Sequence, residues 1–224
     1  MTGLQNIIDR CMSIQIDRRK VVGIQNTLNE IPRTSLTPTR QPWRIALEMP
    51  KSYKYSDARP VLEALDTIDR YVPQVVTFSN NPKLSWIFAY QGSMSLAQIN
   101  AITVVSYIGN QLILGNLPAI ASTRVLFEPN DLIQIAGFPY PFTSTTQVLR
   151  GSSTTVTVTT NRPNIISVPV VDYSIVVGNG CQFNMFCPNM PTYKLNPGGY
   201  LQSRTGSVVT VINNAYIEFS SAFQ

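Results

Sequence analysis

From Tyr71 onward the chain is a succession of short runs in which β-branched or aromatic residues alternate with polar ones, and no long helix separates them. Alternation with a period of two is the geometry of a strand whose faces differ. The clearest case is STTVTVTTNRPNIISVPVVDYSIVV, Ser153–Val177. Val156 and Val158 alternate with Thr155, Thr157 and Thr159, so one face is apolar and the other hydroxylated. Ile166, Val168 and Val170 alternate in the second run, and Asn161-Arg162-Pro163-Asn164 reads as a turn between two neighbouring antiparallel strands. Pro169 lacks a ladder donor, which places that second strand at a sheet edge or a bulge. Further runs are RYVPQVVTFS, SMSLAQINAITVVSYIG, NQLILGNLPAIAS, TRVLFE, DLIQIAGF, CQFNMFCP and SVVTVINNAYIEFSSAF, while LSWIFAYQG fits a turn of helix or a strand. About eight strands punctuated by turns predict an all-β sandwich or barrel. A parallel sheet would need crossover helices that the sequence does not offer.

The first seventy residues read differently. Leu4, Ile7, Ile8 and Met12 are spaced like one face of a short helix, followed by the basic run Arg18-Arg19-Lys20 and the extended, proline-rich PRTSLTPTRQP. SDARPVLEALDTIDRY predicts one helix, capped by Ser56 or Asp57, with Pro60 near its first turn. Val61, Leu62, Leu65 and Ile68 form its apolar stripe, and Asp66 and Arg70 an i,i+4 pair. The division expected is an N-terminal assembly arm, residues 1–44, and a β-body, residues 45–224, with its core strands in 71–224.

Several functions are disfavoured by what is missing. The chain has 224 residues and no histidine, which removes the commonest general base, nucleophile activator and metal ligand. Glu63, Asp66 and Asp69 share a helix face and read as solvated charge rather than an acid–base or metal site. No catalytic residue, cofactor or metal is expected. No run approaches the roughly 18 apolar residues of a membrane span, and no secretory signal pattern is evident at the N-terminus. Cys11, Cys181 and Cys187 are an odd set of thiols, which suggests a reducing compartment.

Charge is the most informative property. The net charge is +5, and residues 1–44 hold seven basic and three acidic side chains, most of that excess. Residues 71–224 hold six basic and four acidic ones, ten in 154 residues. That is far below the roughly 25 % charge of ordinary soluble domains. Interfaces are depleted in charge because desolvating it is costly. The β-body is therefore expected to be covered permanently by other chains.

At this point the sequence resembles the capsid proteins of picorna-like RNA viruses, those of insects among them. SLAQINAITVVSYIGNQLILGNL looks like that family's strand C, a short connection and strand D. STTVTVTTNRPNIISVPVVDYS looks like strands E and F with a Val-Pro step, and QFNMFCPNMP and SVVTVINNAYIEFSSAF like the last two strands. The resemblance spans residues 71–224. It implies a single eight-stranded antiparallel jelly-roll β-sandwich with an extended N-terminal arm and one short helix. It also implies a structural role: assembly with similar jelly rolls into an icosahedral shell around single-stranded RNA, in the virion and, during assembly, the host cytoplasm. In such viruses proteases cut polyproteins after glutamine, so Gln224 would suit a cleavage end, whereas Met1 departs from an internal product.

Arg10, Arg18, Arg19 and Lys20 are the candidates for RNA phosphate or inter-subunit contact, expected to be weak and independent of base sequence. The aromatics read mainly as core, because base stacking needs them exposed beside cations. GFPYPF reads equally as a packed loop or as a receptor or subunit-boundary surface. The alternative function is a carbohydrate- or receptor-binding β-sandwich of lectin type, for which Asp131 and Asp172 are isolated. An enzyme on a jelly-roll scaffold is disfavoured by the absence of histidine.

Overall fold

The computed structural model describes residues 3–17, 22–26, 32–36, 43–48, 52–67, 72–164, 166, 170–189, 193–197, 199–203 and 209–213. The first part of the chain forms α1 (Gly3–Ile8), β1 (Ser13–Asp17), β2 (Val22–Asn26), β3 (Pro32–Leu36), β4 (Arg44–Glu48), β5 (Ser52–Lys54) and α2 (Tyr55–Thr67). Then come β6 (Gln74–Val76), α3 (Leu96–Ala101), β7 (Thr103–Ile108), β8 (Gln111–Gly115), β9 (Val125–Phe127), β10 (Leu132–Ile135) and β11 (Phe142–Thr143). The last are β12 (Val148–Leu149), β13 (Val156–Thr159), β14 (Ile175–Val177), β15 (Phe183–Asn189), β16 (Tyr193–Asn196), β17 (Tyr200–Ser203) and β18 (Val209–Asn213). The described chain is thus mostly β-structure with three short helices. Its strands group as one five-stranded sheet in the order β1-β4-β18-β15-β6, three three-stranded sheets and two pairs. The few long strands expected are cut into shorter ones, because glycines with positive φ at 109, 137, 151 and 178 turn the chain away.

One long antiparallel ribbon organises the body. β10 pairs with β11, β9 with β12, β8 with β13 and β6 with β15, so pairings are nested around residues 136–141. β7 joins the same series through Thr103–Ser174 and through Val104 N–H donating to Tyr173 O at 2.8 Å. At the ribbon tip Gly137 has φ +85°, and Pro139 and Pro141 cannot donate to a ladder.

The ribbon also closes on itself. β8 pairs with β7, residues 172–174 link β7 to β14, and β14 pairs with β10. From β11 the circuit returns to β13 through the Ser144–Thr160 bridge and Thr145 N–H on Thr159 O. Every strand of this circuit sends side chains into one cluster, including Val104, Tyr107, Leu112, Ile133, Phe142, Val158 and Ile175. Closure of this kind leaves few free strand edges.

The N-terminal segment packs on this body rather than reaching away from it. Leu4, Ile7, Ile8 and Cys11 are buried with Trp43, Ile45, Phe78, Phe88 and Phe183 in a second cluster. β1 pairs with β4 over its whole length. The Gln5 amide accepts from Thr77 N–H and donates to Thr77 O, both at 2.8 Å, and so caps the edge of β6 as a strand would. Leu4, Ile7, Ile8 and Cys11 of the expected assembly arm are therefore part of the core, with Ile14 and Ile16 packed against it, because the apolar helix stripe has a matching apolar sheet to cover. Met12, assigned to that stripe, is exposed instead, since α1 ends at Ile8.

Other local expectations are corrected. SMSLAQINA is not extended: Ser95 and Gln98 form a reciprocal capping box that starts α3. The Asn161–Asn164 link is not a hairpin turn, because β13 pairs with β8 and not with the strand that follows it. Asn161 instead accepts from Thr143 N–H and Asn164 donates to Tyr107 O, tying the link to other strands. α2 starts at Tyr55, so neither Ser56 nor Asp57 caps it and Pro60 lies inside it; Tyr55 N–H donates to Gly199 O. LSWIFAYQG contains a short 3-10 turn, Ser85–Phe88. Val168, Pro169, Ile68, Asp69 and Arg70 lie outside the described residues, as does the part of PRTSLTPTRQP beyond β3. No helix among the described residues is long and apolar enough to cross a membrane.

Candidate functional site

The chemistry-bearing side chains divide into a charged interior seam and a charge-poor exterior. The seam is built on Arg162. Its side chain is 4 % exposed, and its guanidinium lies 4.3 Å from the Trp43 ring centroid and 4.7 Å from that of Tyr140. Trp43 belongs to the N-terminal cluster and Tyr140 to the ribbon cluster, so this one cation joins the two cores. Its Nη1 donates to Pro141 O at 3.0 Å. Its carbonyl accepts from the Tyr107 hydroxyl at 2.8 Å and from Thr160 Oγ1 at 2.6 Å. Burial pushes the Tyr107 phenol well up, so it stays a neutral donor. These partners are all groups of the protein itself, as in a structural seam.

Asp131 is the second interior charge. Its carboxylate accepts from Glu128 N–H at 2.8 Å and Gln91 N–H at 3.0 Å, tying the Pro129-Asn130 turn to the segment before α3. Burial raises its pKa, against the opposing pull of those backbone donors. Its donors are backbone amides of its own turn and of the neighbouring segment. Among the described residues no cluster of acidic or thiol groups could hold a metal ion.

With Arg162 and Asp131 withdrawn, and Arg204 and Glu218 outside the described residues, six charged side chains of residues 71–224 remain described: Lys83, Arg124, Glu128, Arg150, Asp172 and Lys194. Arg150 spends its donors on the carbonyls of Pro118, Gly151 and Ser153. The sheet of β13, β8 and β7 contains no ionisable acid or base other than the buried Tyr107, and exposes Val105, Ile108, Gln111, Thr157 and Thr159. Solvent-facing sheet surfaces normally carry polar, often charged, alternation. Exposed large apolar residues occur elsewhere too, notably Leu96, Trp86 and Leu195.

The expected contact residues are scattered between described and undescribed parts. Arg10 lies at the end of α1, where Nη1 donates to Asp57 O at 2.6 Å. Arg18, Arg19, Lys20 and Gln224 lie outside the described residues. Glu63 is exposed, and the side chain of Asp66 is outside what is described. GFPYPF is a packed loop: Tyr140 and Phe142 are buried, and Phe138 packs edge-on against Tyr173 at 5.3 Å. Neither Arg162 nor the exposure of Trp86 was readable beforehand. Arg162 sat in an apparent turn, and nothing local distinguishes Trp86 from the buried aromatics around it.

Comparison with protein-family models and with curated proteins gives no match to this chain.

Proposed function

We propose that this chain is a structural capsid subunit that assembles with similar β-rich subunits into an icosahedral shell around single-stranded RNA. The observation that carries the reading is the lightly charged exterior, made poorer still by the burial of Arg162 and Asp131. A body of this size exposed to water on all sides would ordinarily carry a mixed, well-charged surface. The nested antiparallel ribbon supports the finer fold proposal of a jelly roll, since rolling such a ribbon into a closed double-layered body yields that architecture. The direct β7–β8 hairpin and the division into several small sheets are where this chain departs from two regular four-stranded sheets. Because the apolar side chains of α1 and β1 pack into their own core, assembly is proposed to run chiefly through uncharged faces such as β13-β8-β7.

The test is to coexpress the chain with its partner shell proteins and sediment the product. A particle of uniform size, containing RNA and this chain at fixed stoichiometry, is the expected result. A soluble monomer in the presence of those partners would refute the proposal. A specific hit on a glycan array, with no particle, would favour the lectin-type alternative.

A further inference from the structure

We propose that Trp86 and Lys83 form a stacking platform for a base of single-stranded nucleic acid; the inference rests on the reading that this chain encloses RNA. Trp86 is 71 % exposed, the most exposed aromatic among the described residues. The 3-10 turn that carries it is held on both sides by buried Leu84 and Phe88. The indole Nε1–H donates to Lys83 O at 2.9 Å, so the only donor of the ring is used within the turn. What faces outward is a fixed apolar π-surface. An isolated fixed ring of this kind is what base stacking requires, because every base has a π-face.

Lys83 supplies the second element. Its Nζ lies 2.9 Å from Met12 Sδ, a weak acceptor, and among the described residues no carboxylate pairs with it. Its ammonium is therefore available to a phosphate beside a stacked base. Arg10 stands two residues before Met12, and the run Arg18-Arg19-Lys20 begins six residues after it. Asp9 bonds Gln5 Nε2 and Glu48 bonds Ser13 Oγ, and neither bonds Lys83. Lysine is depleted at protein interfaces, so a lysine in the same turn as the ring favours a nucleotide over a protein partner.

The experiment is a titration of the full chain with oligouridylate, read by tryptophan emission at about 50 and 200 mM salt. Trp43, the second tryptophan, is buried against Arg162 and Phe183 and serves as the unresponsive reference. Quenching that weakens with salt is expected. W86A should lower affinity about tenfold, the scale of one stacked base. K83Q should lower affinity and flatten the salt dependence, while W86F retains most binding. Absence of quenching, equal affinity of W86A and wild type, or quenching only by a protein partner overturns the platform. RNA-filled particles built from W86A with unchanged oligonucleotide affinity would overturn it and leave the shell reading intact. Quenching by a chain that never forms particles would do the reverse.

Discussion

Replacing Arg162 tests whether the seam between the two cores depends on shape or on charge. The guanidinium is sandwiched by Trp43 and Tyr140 and bonded to Pro141 O. A desolvated cation–π contact contributes up to about 2 kcal/mol, and a hydrogen bond to a charged group about 1.5–3 kcal/mol. Against these stands the cost of burying the charge. R162A removes the contacts and leaves a void between the rings, so a loss of about 2–5 kcal/mol is expected, as for other large-to-small truncations in a core. R162M fills nearly the same space without a charge to desolvate and should lose about 1 kcal/mol or less, as hydrophobic replacements of buried ions often do. R162K keeps the charge but lacks the flat guanidinium that lies between two rings, and should fall between them. Urea unfolding followed by tryptophan emission reads all three, since Trp43 is itself a wall of the seam. With a slope of about 2–3 kcal/mol/M, R162A should move the midpoint by about 1–2 M. If Lys is tolerated as well as Arg while Met unfolds the protein, the seam needs a positive charge and the packing argument is wrong.

Three other outcomes follow from the same structure. Q5A removes the clamp on Thr77 and should cost about 1 kcal/mol by leaving half-buried backbone groups without their protein partner; amide exchange at Thr77 should accelerate, and unchanged protection would show that the clamp is idle. Burial pushes the Cys11 thiol up to about 12 and Cys181 higher still, so both should resist a thiol reagent at pH 8 until denaturant is added; rapid native labelling of either would contradict their burial. Burial raises the Asp131 pKa, so the folded chain holds that proton more tightly than the unfolded one. The stability of wild type relative to D131N should therefore fall as pH rises from about 3 through the raised value and then level off. A relative stability that climbs over that window would mean the backbone donors, not desolvation, dominate.

Pattern alone determined the strands wherever neighbours in sequence suffice. The alternation of Val156 and Val158 with threonines marks β13, and Gly109-Asn110 marks the two-residue turn between β7 and β8, where Gly109 has φ +54°. The capping box Ser95–Gln98 was written in the same local language, although the apolar run after it reads as extended from the start. Scarcity of charge was likewise visible without coordinates. Tertiary structure decided which strands meet: β13 lies beside β8 rather than the strand after it, and β6 beside β15, more than a hundred residues away. It decided that α1 and β1 complete the core, and that Arg162 is interior while Trp86 is not. Strand periodicity sets which side chains share a face, but partner choice is settled by burial and closure across the whole chain, where many nearly equal pairings compete and only the packed ensemble separates them.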